Sequence, residues 1–211
     1  IIGRLMVIQY YGKGYVKVSL GERTLSFNPP GKGSDLKGPR FGADVVLVSS
    51  NLPDYNGIEL AEYGERKPIE ISGPGEYEIG EITIKGVSSK GVDDTVNTIY
   101  VVRFEDITLC HLGALATNLD ADTKEKLGDV DILFVPTYGG DVLDSSLASK
   151  LSAALNTKLV VPLFFGGDDR DGLKKFLKES GEEKAEISDK LTIKRKDLEG
   201  KEGDIAVIKS F

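Results

Sequence analysis

Hydrophobic and polar residues alternate with a period of two along the first half of the chain, which predicts a series of short β-strands. In Tyr15–Leu20, Val16, Val18 and Leu20 alternate with Lys17 and Ser19, as in a strand with one buried face. The pattern and the turns between segments predict strands at Met6–Tyr10, Tyr15–Leu20, Thr24–Asn28, Val45–Ser49, Ile69–Ile71, Tyr77–Ile79, Ile82–Val87, Thr98–Phe104 and Ile107–His111.

In the second half, helical segments alternate with buried strands. Leu147, Leu151 and Leu155 recur every four residues and form one apolar stripe of a helix. Helices are predicted at Leu119–Leu127, Ser145–Leu155 and Asp171–Ser180, and strands at Asp131–Val135, Leu159–Phe165, Leu191–Lys194 and Ile205–Ile208. This order predicts two packed sheets with helices outside, in a single domain spanning residues 1–211.

Composition narrows the choice of partners and compartment. The 211 residues carry a net charge of −7, which disfavours nucleic acid and anionic membranes as partners. The single cysteine, Cys110, excludes an internal disulfide framework and fits the reducing cytoplasm. No apolar run is long enough to span a membrane, and the first residues predict a strand rather than a signal peptide.

The order of these segments resembles the metallo-β-lactamase fold superfamily, and most of all its branch of small lactonase-like, metal-dependent hydrolases of the ascorbate-6-phosphate lactonase type. The resemblance runs from Met6 to about Phe165. Gly12-Lys13 stands where the family has Gly-His, and Asn28-Pro29 where it has Asp-Pro. The resemblance implies an α+β fold, a four-layer αββα sandwich with two mixed β-sheets and helices outside.

The same resemblance implies that the metal ligands are missing. The positions of the family's His-x-His-x-Asp-His motif, of its third-motif histidine, of its bridging aspartate and of its last histidine fall on Ser50, Leu52, Asp54, Tyr55, Gly91, Ala114 and Phe164. Of these positions, only position 54 still holds a residue of the ligand type, Asp54. Asp54 and the single histidine, His111, would give two ligands, below the three of a catalytic zinc site, so we expect no metal and no cofactor.

The residues at the former ligand positions suit the closing of a cavity. Leu52, Tyr55, Ala114 and Phe164 are apolar, aromatic or small, and protein interiors are closely packed. Carboxylates kept together without their cation would instead repel one another. The substitutions as a set therefore predict the absence of a catalytic binuclear site.

Four residues remain candidates for catalysis: Asp54, His111, Ser50 and Lys13. A desolvated Lys13 beside Ser50 would make a serine–lysine hydrolase. The alternative interpretations are structural: Asp54 satisfies amides of the turn Pro53–Gly57, and His111 bonds to the backbone at a strand end. The aspartates of 165–171 either attract a cation or cap the following helix.

Three functions are compatible with these observations. The first is a metal-free, catalytically inactive member of the hydrolase fold that binds an unknown protein or small molecule. The second is a lactone or ester hydrolase that uses the four candidate residues. The third is a structural role through a homo-oligomer, which is a common state among soluble proteins.

Overall fold

The structure, a computed structural model, describes residues 4–164 and 171–210. Its strands are β1 Met6–Gly12, β2 Tyr15–Leu20, β3 Arg23–Phe27, β4 Val45–Leu47, β5 Ile69–Ile71, β6 Gly75–Ile79, β7 Ile82–Lys90, β8 Val96–Phe104, β9 Ile107–His111, β10 Ile132–Pro136, β11 Leu159–Leu163, β12 Ile187–Ser188, β13 Leu191–Ile193, β14 Asp204–Ile205 and β15 Val207–Ile208. The α-helices are α1 Ala121–Leu127, α2 Ser145–Ala154 and α3 Asp171–Glu179, and 3-10 turns span Ile58–Ala61, Val92–Asp94 and Arg195–Leu198.

The first half of the chain builds a six-stranded sheet in the order β13-β1-β2-β3-β4-β5. Pairing is antiparallel from β13 to β3, and β3, β4 and β5 run parallel. In β2, Val16 and Val18 are fully buried whereas Lys17 and Ser19 are half-buried. The predicted period-two strand is therefore confirmed, with one face turned towards the core.

The second sheet has seven strands in the order β14-β11-β10-β9-β8-β7-β6. Strands β6 to β9 pair antiparallel, and β9, β10, β11 and β14 run parallel. Both sheets are thus mixed, as the resemblance implied. A two-stranded sheet of β12 and β15 completes the set among the described residues.

The main core lies between the two large sheets. Phe27 of β3 and Phe134 of β10 are both fully buried, and their ring centroids are 6.2 Å apart. On the opposite face of β4, Val46 packs in a smaller cluster with Ala43, Val48 and Ala61. Sheets packed face to face, with helices outside, confirm the predicted α+β sandwich.

Helices α1 and α2 begin at capping aspartates. The Asp144 carboxylate accepts the Ser146 and Leu147 amide N–H groups and starts α2 at the predicted residue. The predicted start of α1 at Leu119 was two residues early, because the Asp120 side chain accepts the Thr123 amide N–H and caps the helix there. No helix in the described ranges is long and apolar enough to cross a bilayer.

The prediction of one final strand at Ile205–Ile208 was wrong. Asp204–Ile205 pairs with β11, whereas Val207–Ile208 pairs with β12. Between them the Ala206 amide N–H donates to the Val160 carbonyl over 2.9 Å. The chain leaves the seven-stranded sheet at this residue and enters the two-stranded sheet, so the predicted segment is divided between two sheets.

Candidate functional site

The predicted site residues lie where the chain leaves the strands of the two large sheets. Lys13 follows β1, residues 50–55 follow β4, Ala114 follows β9 and Phe164 follows β11. Strands β9, β10 and β11 run parallel, so their carboxyl ends reach the same edge of the seven-stranded sheet. Segments far apart in sequence therefore meet at this edge.

Four of the former ligand positions pack against one another. Tyr55 and Ala114 are buried together with Val142, and Leu52 and Phe164 pack against them half-buried. The Tyr55 and Phe164 ring centroids are 6.2 Å apart at a 40° interplanar angle. We call these five residues the apolar cluster. Its space is occupied by side chains that offer no ligand atom suited to a divalent cation.

The Tyr55 hydroxyl stays neutral in this setting. Burial raises its pKa well above the usual value, and the negative charges of Asp54 and Asp141 raise it further. A phenol that holds its proton is a hydrogen-bond donor rather than an anionic ligand.

Phe164 is held in an unusual backbone conformation. Its φ angle is 63°, a left-handed value that is rare for a bulky residue. Its amide N–H donates to the Tyr10 hydroxyl over 2.8 Å and to the Lys13 carbonyl over 3.2 Å. These bonds fix Phe164 beside the turn that carries Lys13.

Asp54 lies in a polar contact beside the apolar cluster. The Lys13 ammonium is 2.5 Å from its Oδ2 atom, and the Ser34 hydroxyl donates to Oδ1. About a third of each charged side chain is exposed, 35% for Lys13 and 31% for Asp54. Both carboxylate oxygens of the retained ligand position are therefore engaged by donors of this chain.

His111 is completely buried and both of its ring nitrogens are used. The Gly113 amide N–H donates to Nδ1 over 2.9 Å, so Nε2 carries the proton and donates to the Gly14 carbonyl over 3.0 Å. Its ring stacks on Phe27 with centroids 5.1 Å apart. Burial lowers the pKa of His111 from 6.5 to about 3, although the bond to Gly14 opposes the shift. The residue is a neutral structural group.

The loop after β9 is fixed by side chains beneath it. The Asn97 carboxamide accepts the Ala114 amide N–H over 2.8 Å and donates to the Leu112 carbonyl over 2.9 Å. Gly113 has φ 64°, and a Cβ atom there would lie 2.4 Å from Asn97 Oδ1. Only glycine fits at this point, so Ala114 is held in the apolar cluster by a rigid turn.

The remaining candidates lie apart from Asp54. The Ser50 hydroxyl accepts the Leu52 amide N–H over 3.4 Å and lines a separate cleft. Gly91 is buried at the end of β7, where its amide N–H donates to the Thr95 carbonyl over 2.8 Å. The structure thus joins Lys13 to Asp54 and places His111 and Ser50 elsewhere, so the four candidates do not converge in one concave site.

The aspartate-rich loop is only partly described. Residues 165–170, with Asp168, Asp169 and the predicted strand end Phe165, lie outside the described residues. Asp171 is the first residue of α3, and its side chain is 92% exposed beside Lys174.

The donor set does not fit a binuclear metal centre. Asp54 is the one carboxylate at the former ligand positions, and its partners are Lys13 and Ser34. Beneath the loops, Asn28 Nδ2 and Ser49 Oγ are buried and unpartnered among the described residues. The amide nitrogen is a donor and cannot ligate a cation, and the single hydroxyl oxygen falls short of the three protein ligands of a catalytic zinc site. In the described ranges, no group of three or more histidine, cysteine, aspartate or glutamate side chains is placed to hold a metal ion.

Sequence reasoning missed three residues that shape this region: Ser34, Asn97 and Val142. Ser34 lies in a loop of glycine, proline and lysine, and Val142 follows Gly139-Gly140-Asp141. Neither segment has a periodic pattern. Asn97 immediately precedes the apolar run that predicts β8 and lies within that strand in the structure. A polar residue at that place in the sequence was the one available sign that a buried side chain holds the neighbouring loop.

Sequence comparison finds a matching family model and relatives that are named metal-dependent hydrolases. A family model described as the beta-lactamase superfamily domain matches residues 7–164. A protein named UPF0173 metal-dependent hydrolase from Anoxybacillus flavithermus is 23% identical over 193 residues, which cover 76% of this chain and 86% of the relative. A second protein so named, from Bacillus thuringiensis subsp. konkukian, is 25% identical over 199 residues with the same coverage.

Solved structures agree in fold. A protein of the metallo-beta-lactamase superfamily from Thermotoga maritima superposes with a TM-score of 0.75 at 23% identity, covering 98% of this chain and all of the other. Igni18, a metallo hydrolase from Ignicoccus hospitalis, gives a TM-score of 0.64 at 16% identity and covers 90% of this chain and 99% of its own. At these identities the likeness concerns the fold alone.

Proposed function

This chain belongs to the beta-lactamase superfamily, and from that premise we propose that it is a member that works without a catalytic metal, hydrolyses no substrate and serves as a binding module. The observation that carries the proposal is the apolar cluster. Leu52, Tyr55, Ala114 and Phe164 are the residues that the resemblance aligns with metal ligands, and they pack together. Filling the space with side chains removes both the ligands and the room for a metal-bound water.

The ion pair beside the cluster supports the same conclusion. A carboxylate that keeps its place after a metal is lost needs another positive charge nearby. Lys13 supplies that charge to Asp54, and it stands where the family has a histidine. The retained ligand position is thus explained by a contact within the chain.

Compartment and partners follow from charge and from the single cysteine. Cys110 is fully buried, and burial raises its pKa to about 12, so its thiol is inert. We place the protein in the cytoplasm, with a protein or small molecule as its partner. The net charge of −7 argues against a phosphate backbone or an anionic lipid surface.

Metal analysis tests the proposal directly. The protein is expressed in medium supplemented with zinc and manganese, desalted, and analysed by inductively coupled plasma mass spectrometry. We expect far less than one ion per chain. An active zinc hydrolase taken through the same steps shows that the protocol retains bound metal. Two zinc or manganese ions per chain would contradict the proposal.

Hydrolysis by non-standard residues is the alternative, and it has its own measurement. Lactone, phosphoester and thioester substrates are incubated with the protein, with and without added metal, and no turnover above buffer is expected. Turnover that disappears in Asp54→Asn and in Lys13→Met, but survives in Asp141→Asn, would establish the alternative instead.

A further inference from the structure

A cleft of 670 Å³ opens beside the apolar cluster. It lies beyond the carboxyl ends of the parallel strands β4 and β5 and is closed on one side by the start of β8. Clefts of this size hold small molecules, and ligands commonly bind beyond the carboxyl ends of parallel strands. Two former ligand positions, Ser50 and Leu52, belong to its wall.

The cleft lies towards the outer face of the six-stranded sheet. Val45 and Leu47 of β4 point into the main core, whereas Val46 and Val48 pack on the opposite face near Ile58. Glu70 pairs with Val46 across β4 and β5, so its side chain is on that outer face too. The cleft is therefore open to solvent and separate from the Lys13–Asp54 contact.

Its lining is rich in neutral hydrogen-bonding groups. Hydroxyls and carboxamides come from Ser50, Ser72, Thr95, Thr98, Asn51 and Asn56. Ser72 is exposed, and its hydroxyl has no partner among the described residues. Val96, 65% exposed at the rim, offers an apolar surface beside these groups.

The charge of the cleft is set by one residue. Glu70 is the single charged side chain among the lining residues described, which include no lysine, arginine or histidine. Its carboxylate is exposed and makes no ion pair with another described residue. A carboxylate without a basic partner attracts cations and repels anions, so this cleft favours a ligand with a protonated amine.

We propose that this cleft is the ligand site of the protein, and that it takes a small hydroxylated amine, such as an amino sugar, with the ammonium group on Glu70 and the hydroxyls on Ser50 and Ser72. The inference rests on the proposed function as a binding module and names its site. An anionic ligand such as a phosphate would find no positive partner on this wall.

The test is a titration of the ¹⁵N-labelled full chain with glucosamine, followed by backbone amide shifts. Glucose, which has the same ring without the amine, and acetate, an anion, are titrated in parallel. We expect glucosamine to shift the amides of Ser50, Ser72, Gly73 and Thr95 and to bind more tightly than glucose, while acetate leaves these amides unchanged. Shifts confined to other regions, or equal responses to glucosamine and acetate, would overturn the proposal.

Two variants sharpen the assignment. Glu70→Gln should weaken glucosamine binding about tenfold, as expected for one charge-assisted hydrogen bond, and leave glucose binding unchanged. The matched control Glu78→Gln removes the same charge from β6, outside the cleft, and should leave glucosamine binding unchanged. Equal affinities of wild type and Glu70→Gln for glucosamine would refute the role of Glu70.

Ser72→Phe fills the cleft from an exposed position and should abolish the shifts while keeping the thermal unfolding midpoint. Persistent binding in Ser72→Phe would refute the location. Metal analysis and the glucosamine titration separate the two proposals. No bound metal together with no glucosamine response would be a failure of this inference alone. A glucosamine response together with two bound metals or with hydrolysis would be a failure of the proposed function alone.

Discussion

The Lys13 ammonium lies 2.5 Å from the Asp54 carboxylate and joins the turn after β1 to the loop after β4. The two residues are 41 positions apart in sequence. At the position where the resemblance implies a metal-binding aspartate, a cation would supply the positive charge. Here the chain supplies it, and the strength of the contact can be measured.

A double-mutant cycle of Lys13→Met and Asp54→Asn should give a coupling energy of about 0.5–1 kcal/mol, as for partly exposed ion pairs. The carboxamide introduced by Asp54→Asn can still accept the Ser34 hydroxyl, so the cycle isolates the charge. Urea unfolding at low and high salt provides the measurement, and salt should reduce the coupling. A coupling energy of zero at low salt would show that the Lys13–Asp54 ion pair does not stabilise the fold.

Ala114→Asp restores a carboxylate at the former bridging position and should destabilise the protein by about 3 kcal/mol or more, because the charge is buried among apolar side chains. Thr117→Asp, an exposed position nearby, should change stability by less than about 0.5 kcal/mol. Both are followed by thermal unfolding with and without added zinc. Rescue of Ala114→Asp by zinc would show that a metal cavity persists.

His111 should make stability depend on pH. Its pKa is about 3 in the folded chain, against 6.5 for a free histidine, so the unfolded state binds a proton first as the pH falls. Stability is complete above pH 6.5 and is lost progressively below it, by about 2 kcal/mol between pH 7 and pH 5. In His111→Gln this part of the pH dependence should vanish in urea unfolding. An unchanged slope would show that other groups cause it.

Asp131 lies just before β10, at the end of the seven-stranded sheet opposite to the candidate site. Its carboxylate contacts Lys158 at 2.7 Å and Arg195 at 2.5 Å and accepts the Thr108 amide N–H. Burial opposes the charge, but these bonds and the Arg195 charge hold the pKa of Asp131 below its usual 3.8. Its contribution is present above pH 3.8 and is lost as the pH falls through the lower folded pKa.

Asp131→Asn should therefore cost about 2–3 kcal/mol at pH 7, and the difference from wild type should narrow below pH 3.8. Asp204→Asn breaks an exposed pair with Lys201 and should cost less than about 1 kcal/mol. Chemical denaturation over a pH series gives both values. Equal losses in the two variants would contradict the special position of Asp131.

Local sequence patterns predicted most of the elements because each pattern acts over a few residues. Val16, Val18 and Leu20 define a strand face by themselves, and Asp144 starts a helix through amides two and three residues away. A strand prediction was wrong where two neighbouring strands each pair with part of the same segment. The pattern of Ile205–Ile208 predicts one strand, but β11 and β12 divide it.

The residue types at the candidate site could be read from the sequence, but the contacts between their side chains could not. The sequence alone determined that the chain has a single histidine, and the resemblance implied that Asp54 is the one former ligand position that still holds a ligand residue. Only the tertiary structure decided that Lys13 pairs with Asp54 rather than Ser50, that Ser34 joins them, and that Glu70 faces a cleft of neutral groups. Those contacts depend on strand order and on loops without periodicity, which bring together residues that no local pattern relates.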